Sequence, residues 1–243
     1  LDILRAFTPR HPILGNNEIA QRAHLPKPTV TRLTYTLTQL GYLNYSPESG
    51  RYSLSVGVLA LGYSFLASQD IRAIARPLMQ EFADYARATV CLAARDQPHM
   101  VFLEVCQGNP TFQMRLEVGA RVPYGMTALG RAYHCGLGED ARAAMLEEHR
   151  KTARKEDWEG FRASFEKAAR DYQKHGFCVS LGEWNKDVYS VAVPLVSRDH
   201  SKVLALTCAG PPFEMTRSRI FEELGPRLIQ LRDRLFAATG GSF

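Results

Sequence analysis

The stretch from Ile19 to Leu43, IAQRAHLPKPTVTRLTYTLTQLGYL, limits the fold of this chain more than any other. Two short runs with apolar residues at helical spacing flank a Leu-Pro-Lys-Pro corner, which stops one helix and starts another. The second run places Val30, Leu33, Leu37 and Leu40 at steps of 3, 4 and 3 residues, the pattern of one buried helix face. Its opposite face carries Pro28, Thr31, Arg32, Tyr35 and Gln39. Pro28 suits the first helical position, where no N–H is needed, and Gly41 suits the residue just past the end. Upstream, LDILRAF reads as a short helix stopped by Pro9 and Pro12, and Asn16-Asn17 supplies capping chemistry for the next one. Downstream, YLNY and RYSL read as strands joined by the turn Ser46–Gly50. Helix, helix, turn, helix and hairpin make a winged helix-turn-helix.

That module meets DNA with the first turns of its second helix in the major groove. Arg32 is the expected base or phosphate contact, Thr29 and Thr31 the expected phosphate or thymine-methyl contacts, and Lys27 a backbone contact. Pro28, Tyr35 and Gln39 share the same face, and Arg51 on the wing reaches toward the neighbouring groove. Charge agrees with this. Residues 1–60 hold six Lys/Arg against three acids, while the rest of a chain with net charge +5 is close to neutral. A basic head on a neutral body fits a polyanionic partner.

The segment from Val56 to Ala67, VGVLALGYSFLA, is apolar almost all round. Such a helix has to be buried, and a second copy of the chain is the natural cover. Asp70 then reads as the cap of a long helix that Pro77 kinks or divides. TVCLAARD, MVFLEVCQG and FQMRLEVGAR read as antiparallel strands, followed by three helical runs ending near Gly176. FCVSLGE, YSVAVPLVSRD and KVLALTCAG return to strands, and a last helix spans roughly Thr216–Ala238. The fold class is α+β: a winged helix-turn-helix over 1–55, a linker helix and dimer contact over 56–69, and a domain over 70–243 with an antiparallel sheet flanked by helices.

Other chemistries have little support. Five cysteines, none closer than 15 residues to the next, fit neither a disulfide framework nor paired-cysteine zinc sites, and they suit a reducing cytoplasm. His134, His149 and His175 lack metal-ligand spacing, and Glu104, Glu117 and Glu183 are not brought together by any motif. No P-loop, dinucleotide fingerprint or nucleophile elbow is present, so neither a cofactor nor an enzyme is expected. No apolar run is long enough to cross a membrane. The chain begins with Leu, so its start reads as trimmed, and no secretion signal is legible.

LPKPTVTRLTYTLTQLGYL followed by GRYSLSVGVLALG resembles the N-terminal domain of the IclR family of bacterial transcriptional regulators. VGARVPYGMTALGRAYHC and HGFCVSLGEWNKDVYSVAVPLV resemble that family's effector domain, a GAF/profilin-like sheet, with Arg131 where lysine is usual. The resemblance implies an operator-binding homodimer or dimer of dimers controlled by a small molecule, with residues 70–243 as the effector-binding, oligomerising domain. Free N–H groups of Met126, Thr127, Ala128 and Leu129, where a loop enters a helix, suit a carboxylate. Ser180, Glu183 and Ser190 are implied as polar contacts, and Tyr124, Met126, Tyr189 and Trp184 as apolar walls. Serine at 180, where some relatives carry an acid, favours an anionic, ring-bearing effector. The alternative is a thiol-based redox sensor or reductase on the related GAF-like fold, using Cys106 or Cys178.

Overall fold

The computed structural model describes residues 1–108, 116–152 and 155–243, with 152 and 155–157 described by backbone alone. The chain divides into two compact units, Leu1–Gln69 and Asp70–Phe243.

In the first unit, α1 (Asp2–Arg5), α2 (Asn16–Ala23) and α3 (Lys27–Gln39) pack with a small antiparallel sheet of order β1-β3-β2 (β1, Ile13–Gly15; β2, Leu43–Ser46; β3, Arg51–Leu54). Ile3, Phe7, Leu14, Ile19, Val30 and Leu43 form its core. Strand β1 was not legible, because three residues are too few for an alternating pattern. The cap of α2 falls on Gly15, with Asn16 already helical, and the Glu18 carboxylate reaches back to the Gly15 N–H at 2.7 Å. Pro28 stands second in α3, after Lys27. The helix ends as expected: Gly41 has φ +76°, Tyr42 N donates to Leu37 O and Gly41 N to Thr38 O, a Schellman closure.

The buried face of α3 differs from the expected one. Leu33 and Leu40 are 42% and 62% exposed, whereas Thr34 is wholly buried beside Val30, with Leu37 half-buried. Thr34 tolerates this place because its hydroxyl donates to Val30 O (2.9 Å) and also lies 3.1 Å from Thr31 O, so no polar atom is stranded. Counting only aliphatic side chains therefore rotated the face toward the leucines. Helix α4 (Gly57–Ala67) follows, and none of its residues is buried within the unit.

In the second unit a six-stranded sheet runs β6-β5-β4-β9-β8-β7, antiparallel throughout. Its strands are β4 (Thr89–Asp96), β5 (His99–Gln107), β6 (Arg121–Pro123), β7 (Cys178–Leu181), β8 (Tyr189–Val196) and β9 (Val203–Gly210). Alternation sends Val90 and Leu92, Val191 and Val193, Leu206 and Cys208 to one face. There α5 (Ile71–Ala86) and α10 (Gly225–Ala238) cover them with Met79, Phe82, Leu228 and Leu231. Cys91, Ala93, Phe102, Ala192 and Ala205 point the other way, under α6 (Ala128–Gly136), α7 (Glu139–Thr152) and α8 (Lys155–His175). A bulge at Leu92/Ala93 lets consecutive residues Leu103 and Glu104 both turn toward α5. Glu104 is buried there between Arg72 (3.0 Å) and Arg76 (2.6 Å).

Three expectations are refined here. Pro77 does not divide α5, which runs continuously through it, and Asp70 is its cap but makes no side-chain hydrogen bond. Of the expected strand FQMRLEVGAR, residues 112–115 lie outside the described residues, 116–120 are not strand, and only Arg121 joins β6. The last helix is interrupted: α9 (Arg217–Arg219) passes through a π-turn at Ile220–Leu224 before α10. Pro226, which has no N–H to continue an α ladder, follows that turn after Gly225.

Candidate nucleic-acid interface and effector cavity

The corner at Leu25–Pro28 leaves Lys27, Pro28, Thr29, Thr31, Arg32, Tyr35 and Gln39 exposed on α3. Four threonines satisfy their hydroxyls on the preceding turn: Thr31 on Lys27 O, Thr34 on Val30 O, Thr36 on Arg32 O and Thr38 on Thr34 O. Thr31 also accepts from Asn16 Nδ2 at 3.0 Å, which ties α3 to the start of α2. Lys27, Arg32 and Tyr35 make no side-chain hydrogen bond or ion pair among the described residues, so their polar ends are available. Arg51 is committed. Its guanidinium pairs with Glu18, anchoring the wing strand to α2, and the Gly15 N–H and this arginine hold the Glu18 carboxyl below its usual range.

In the second unit, Thr127 caps α6. Its hydroxyl accepts from Gly130 N at 3.2 Å and donates to Pro123 O at 2.9 Å. Gly130 is thereby satisfied, and the N–H groups of Ala128 and Leu129 are the first-turn donors with no intrahelical acceptor. One turn further along, Arg131 enters the interior, 6% exposed. It donates to Ser164 Oγ (3.0 Å) on α8, to Val179 O (2.6 Å) on β7 and to Glu183 (3.2 Å). Glu183 in turn accepts from the Ser180 hydroxyl (2.8 Å) and from the Leu181 N–H. Ser180 also lies 3.3 Å from Met126 O, and Ser164 donates to Gly125 O (3.1 Å), closing the network onto the loop before α6. Burial pushes the Glu183 carboxyl up, but the Ser180 hydroxyl, neighbouring N–H groups and Arg131 outweigh it and leave the carboxyl lowered.

Above this network lies a cleft of about 620 Å³ walled by Pro98, Tyr124, Met126, Phe161 and His149, with Arg131, Ser164 and Glu183 in its floor. An adjoining chamber of about 320 Å³ shares Tyr124, His149 and Phe161 and adds Arg95 and Glu148, which pair at 2.8 Å. His149 stacks on Phe161 with ring centroids 3.6 Å apart, and Tyr124 lies against Phe165 at 5.1 Å. Of the residues expected around an effector, Tyr124, Met126 and Glu183 line the cleft, while Ser180 is buried behind Glu183. Thr127, Ala128 and Leu129 form the helix start beside it. Ser190 is buried opposite Ser180 in the β7–β8 pair. Tyr189 packs on the opposite face of the sheet, and Trp184 is exposed.

Sequence reasoning missed Arg131, Ser164, Phe161 and His149 as members of one site. A signal existed for Arg131 alone: a lone arginine within an apolar helix stripe that also carries Ala128 and Ala132. Phe161 and Phe165 read only as the apolar stripe of an amphipathic helix.

His134, on α6, is 5% exposed, its ring 4.3 Å from that of Phe165 and its Nδ1 without a partner among the described residues. Burial, with Arg142 nearby, lowers its pKa from 6.5 to about 4. The unfolded chain then binds the proton more readily, so stability is full above about 6.5 and declines as pH falls toward 4. His134→Phe should flatten that decline in pH-dependent denaturation curves. An acid limb of unchanged steepness in the variant would refute the assignment.

No described helix is long and apolar enough to cross a membrane. The model of the IclR helix-turn-helix domain matches residues 1–47, and that of the bacterial transcriptional regulator IclR C-terminal domain matches residues 63–234. The HTH-type transcriptional regulator TsaQ1/TsaQ2 of Comamonas testosteroni is 33% identical over 95% of this chain and 83% of its own length. A crystal structure of an IclR family transcriptional regulator from Brucella abortus superposes with TM-score 0.89 at 44% identity, covering 98% of this chain and 89% of that one. An IclR homologue from Microbacterium hydrocarbonoxydans, crystallised with 4-hydroxybenzoate, shares the fold at TM-score 0.69 and 20% identity, over 97% of each chain. With both units matched in order along one chain, this protein belongs to the IclR family of bacterial transcriptional regulators.

Proposed function

We propose that this regulator binds its operator through the N-terminal turns of α3 and that an aromatic carboxylate in the α6 cleft controls that binding. The observation carrying the ligand class is the composition of the cleft. Aromatic walls at Tyr124, Phe161 and His149 stand over a floor in which Arg131 offsets Glu183. An anion entering there meets Arg131 without facing an unpaired carboxylate, the start of α6 lies beside it, and its ring meets apolar surface. The Microbacterium relative crystallised with 4-hydroxybenzoate is consistent with a ring-bearing acid. A thermal-shift series of benzoates against aliphatic acids of equal charge tests this. At 100 times Kd a ligand of the folded state adds about 2.7 kcal/mol, a rise of several degrees. Equal shifts from both series, or none, would remove the aromatic reading.

On the DNA side, Lys27, Pro28, Thr29, Arg32 and Tyr35 form the reading face. Thr31 contributes more to docking α3 on α2, and Arg51 to holding the wing. Arg32→Ala should weaken operator binding by about 1–3 kcal/mol while leaving the melting temperature unchanged. Undiminished sequence-selective binding by that variant in a gel-shift titration would exclude it as a contact. The uncovered apolar helix α4, with Leu59, Leu61, Tyr63 and Phe65 all more than half exposed, is the dimer contact in this reading. Two-fold operators are most simply matched by two chains, and the mass of the protein–operator complex reports that number. DNA as partner places the protein in the cytoplasm.

A further inference from the structure

Cys135, in the last turn of α6, and Cys178, the first residue of β7, hold their sulfurs 3.7 Å apart although 43 residues separate them in the chain. The other three cysteines are buried, and burial pushes their thiols upward, Cys106 to about 11 and Cys208 to about 12. Cys135 differs in two respects. It is partly exposed, and its thiol is lowered, first by the hydrogen bond with Cys178 and then by Arg142, despite burial. Arg142 keeps its buried Nε without a hydrogen-bond partner among the described residues. Cys178 is fully buried and its thiol is raised, so it keeps its proton, within reach of both Cys135 Sγ at 3.7 Å and the Ala168 carbonyl oxygen at 3.8 Å. A partly exposed sulfur with a lowered thiol, 3.7 Å from a buried one that is raised, is the arrangement that oxidises in two steps.

We propose that Cys135 and Cys178 are a modification site for hydroperoxides, with Cys135 attacked first and Cys178 resolving it into a disulfide that staples α6 to β7. The Cys135 thiolate displaces the distal peroxide oxygen, forming an S–OH bond as the O–O bond breaks and the leaving oxygen takes a proton to become water. The Cys178 sulfur then attacks the Cys135 sulfur, the S–O bond breaks, and hydroxide leaves with the Cys178 proton as a second water. Two thiols and one hydrogen peroxide thus give one disulfide and two waters. Closing the sulfurs to about 2.05 Å needs a side-chain rotation or a small approach of the two elements. Either acts next to the effector floor, because Arg131 stands one turn before Cys135 and donates to the carbonyl of Val179, the residue after Cys178. Oxidation therefore alters ligand affinity at the cleft, a consequence that rests on the effector reading above.

The test uses the full chain, reduced and then treated with hydrogen peroxide. Peptide mapping without reductant should find Cys135 linked to Cys178 and three thiols still free. Cys178→Ser should accumulate a sulfenic acid on Cys135 that dimedone traps, and Cys135→Ser should abolish both products. Five free thiols after treatment, or a linkage through other cysteines, would overturn the proposal. Benzoate affinity, measured on the reduced and oxidised forms, should differ by at least about two-fold. Equal affinities would overturn the coupling and leave the staple. Benzoate binding to neither form would instead remove the effector reading, with the linked peptide unaffected.

Discussion

Arg131→Ala should lower the melting temperature of the protein by roughly 6–12 °C, the equivalent of about 3 kcal/mol for a chain of this size. The guanidinium is almost fully buried and serves three acceptors on three separate elements: Ser164 on α8, Val179 on β7, and Glu183 in the loop that follows. Truncation removes the cation facing Glu183 and leaves a carbonyl and a hydroxyl with less than they were built to satisfy. Arg131→Lys keeps the charge but not the planar fork, so it should recover only part of the loss. Glu183→Gln should cost less, because that side chain is 37% exposed and water can replace the pairing. Calorimetric or urea melts decide the matter, and an alanine variant melting within a degree of the parent would show that the network is ornamental to stability.

Gly130→Ala should be comparably damaging for a steric reason. A methyl group on Gly130 would stand 1.8 Å from the Tyr124 carbonyl oxygen and 2.6 Å from its carbon, and both are backbone atoms that no rotamer change can move. The loop from Tyr124 to Thr127 or the start of α6 has to shift, at a cost of about 3 kcal/mol. The shift displaces the helix start and Met126 together, so the carboxylate-induced thermal shift should vanish as well. Gly160→Ala is the control for folding alone: it sits in α8 at the cleft with nothing within 4 Å among the described residues, and alanine there should be neutral or stabilising by up to about 1 kcal/mol. If the Gly130 variant folds as well as that control and still responds to benzoates, the close approach at Gly130 has no consequence.

Long periodic segments were legible in the sequence. Strand β4 runs over the very residues read as TVCLAARD, and α6, α7 and α8 fall where amphipathic runs were seen. Errors collected where a polar residue replaces an aliphatic one in the core, as Thr34 does in α3, or where an element is too short for a period, as in β1. Pro77 does not divide its helix, since α5 packs on the sheet and runs continuously through it.

Of the site, the sequence showed the pieces that are local. The start of α6, the basic face of α3 and the all-round apolar surface of α4 each follow from residues within a turn or two of one another. Their chemistry is set by spacing along one helix. The joining of Arg131 to Val179 and Glu183, and the meeting of Cys135 with Cys178, span 43 to 52 residues of chain. Such pairs arise only when α6 is laid across β7 and β8 by the packing of a whole layer. Local patterning states which face of an element is buried, and it carries no term for which buried face lies opposite. That choice belongs to the tertiary structure, and with it came the cleft, its charged floor and the thiol pair beside it.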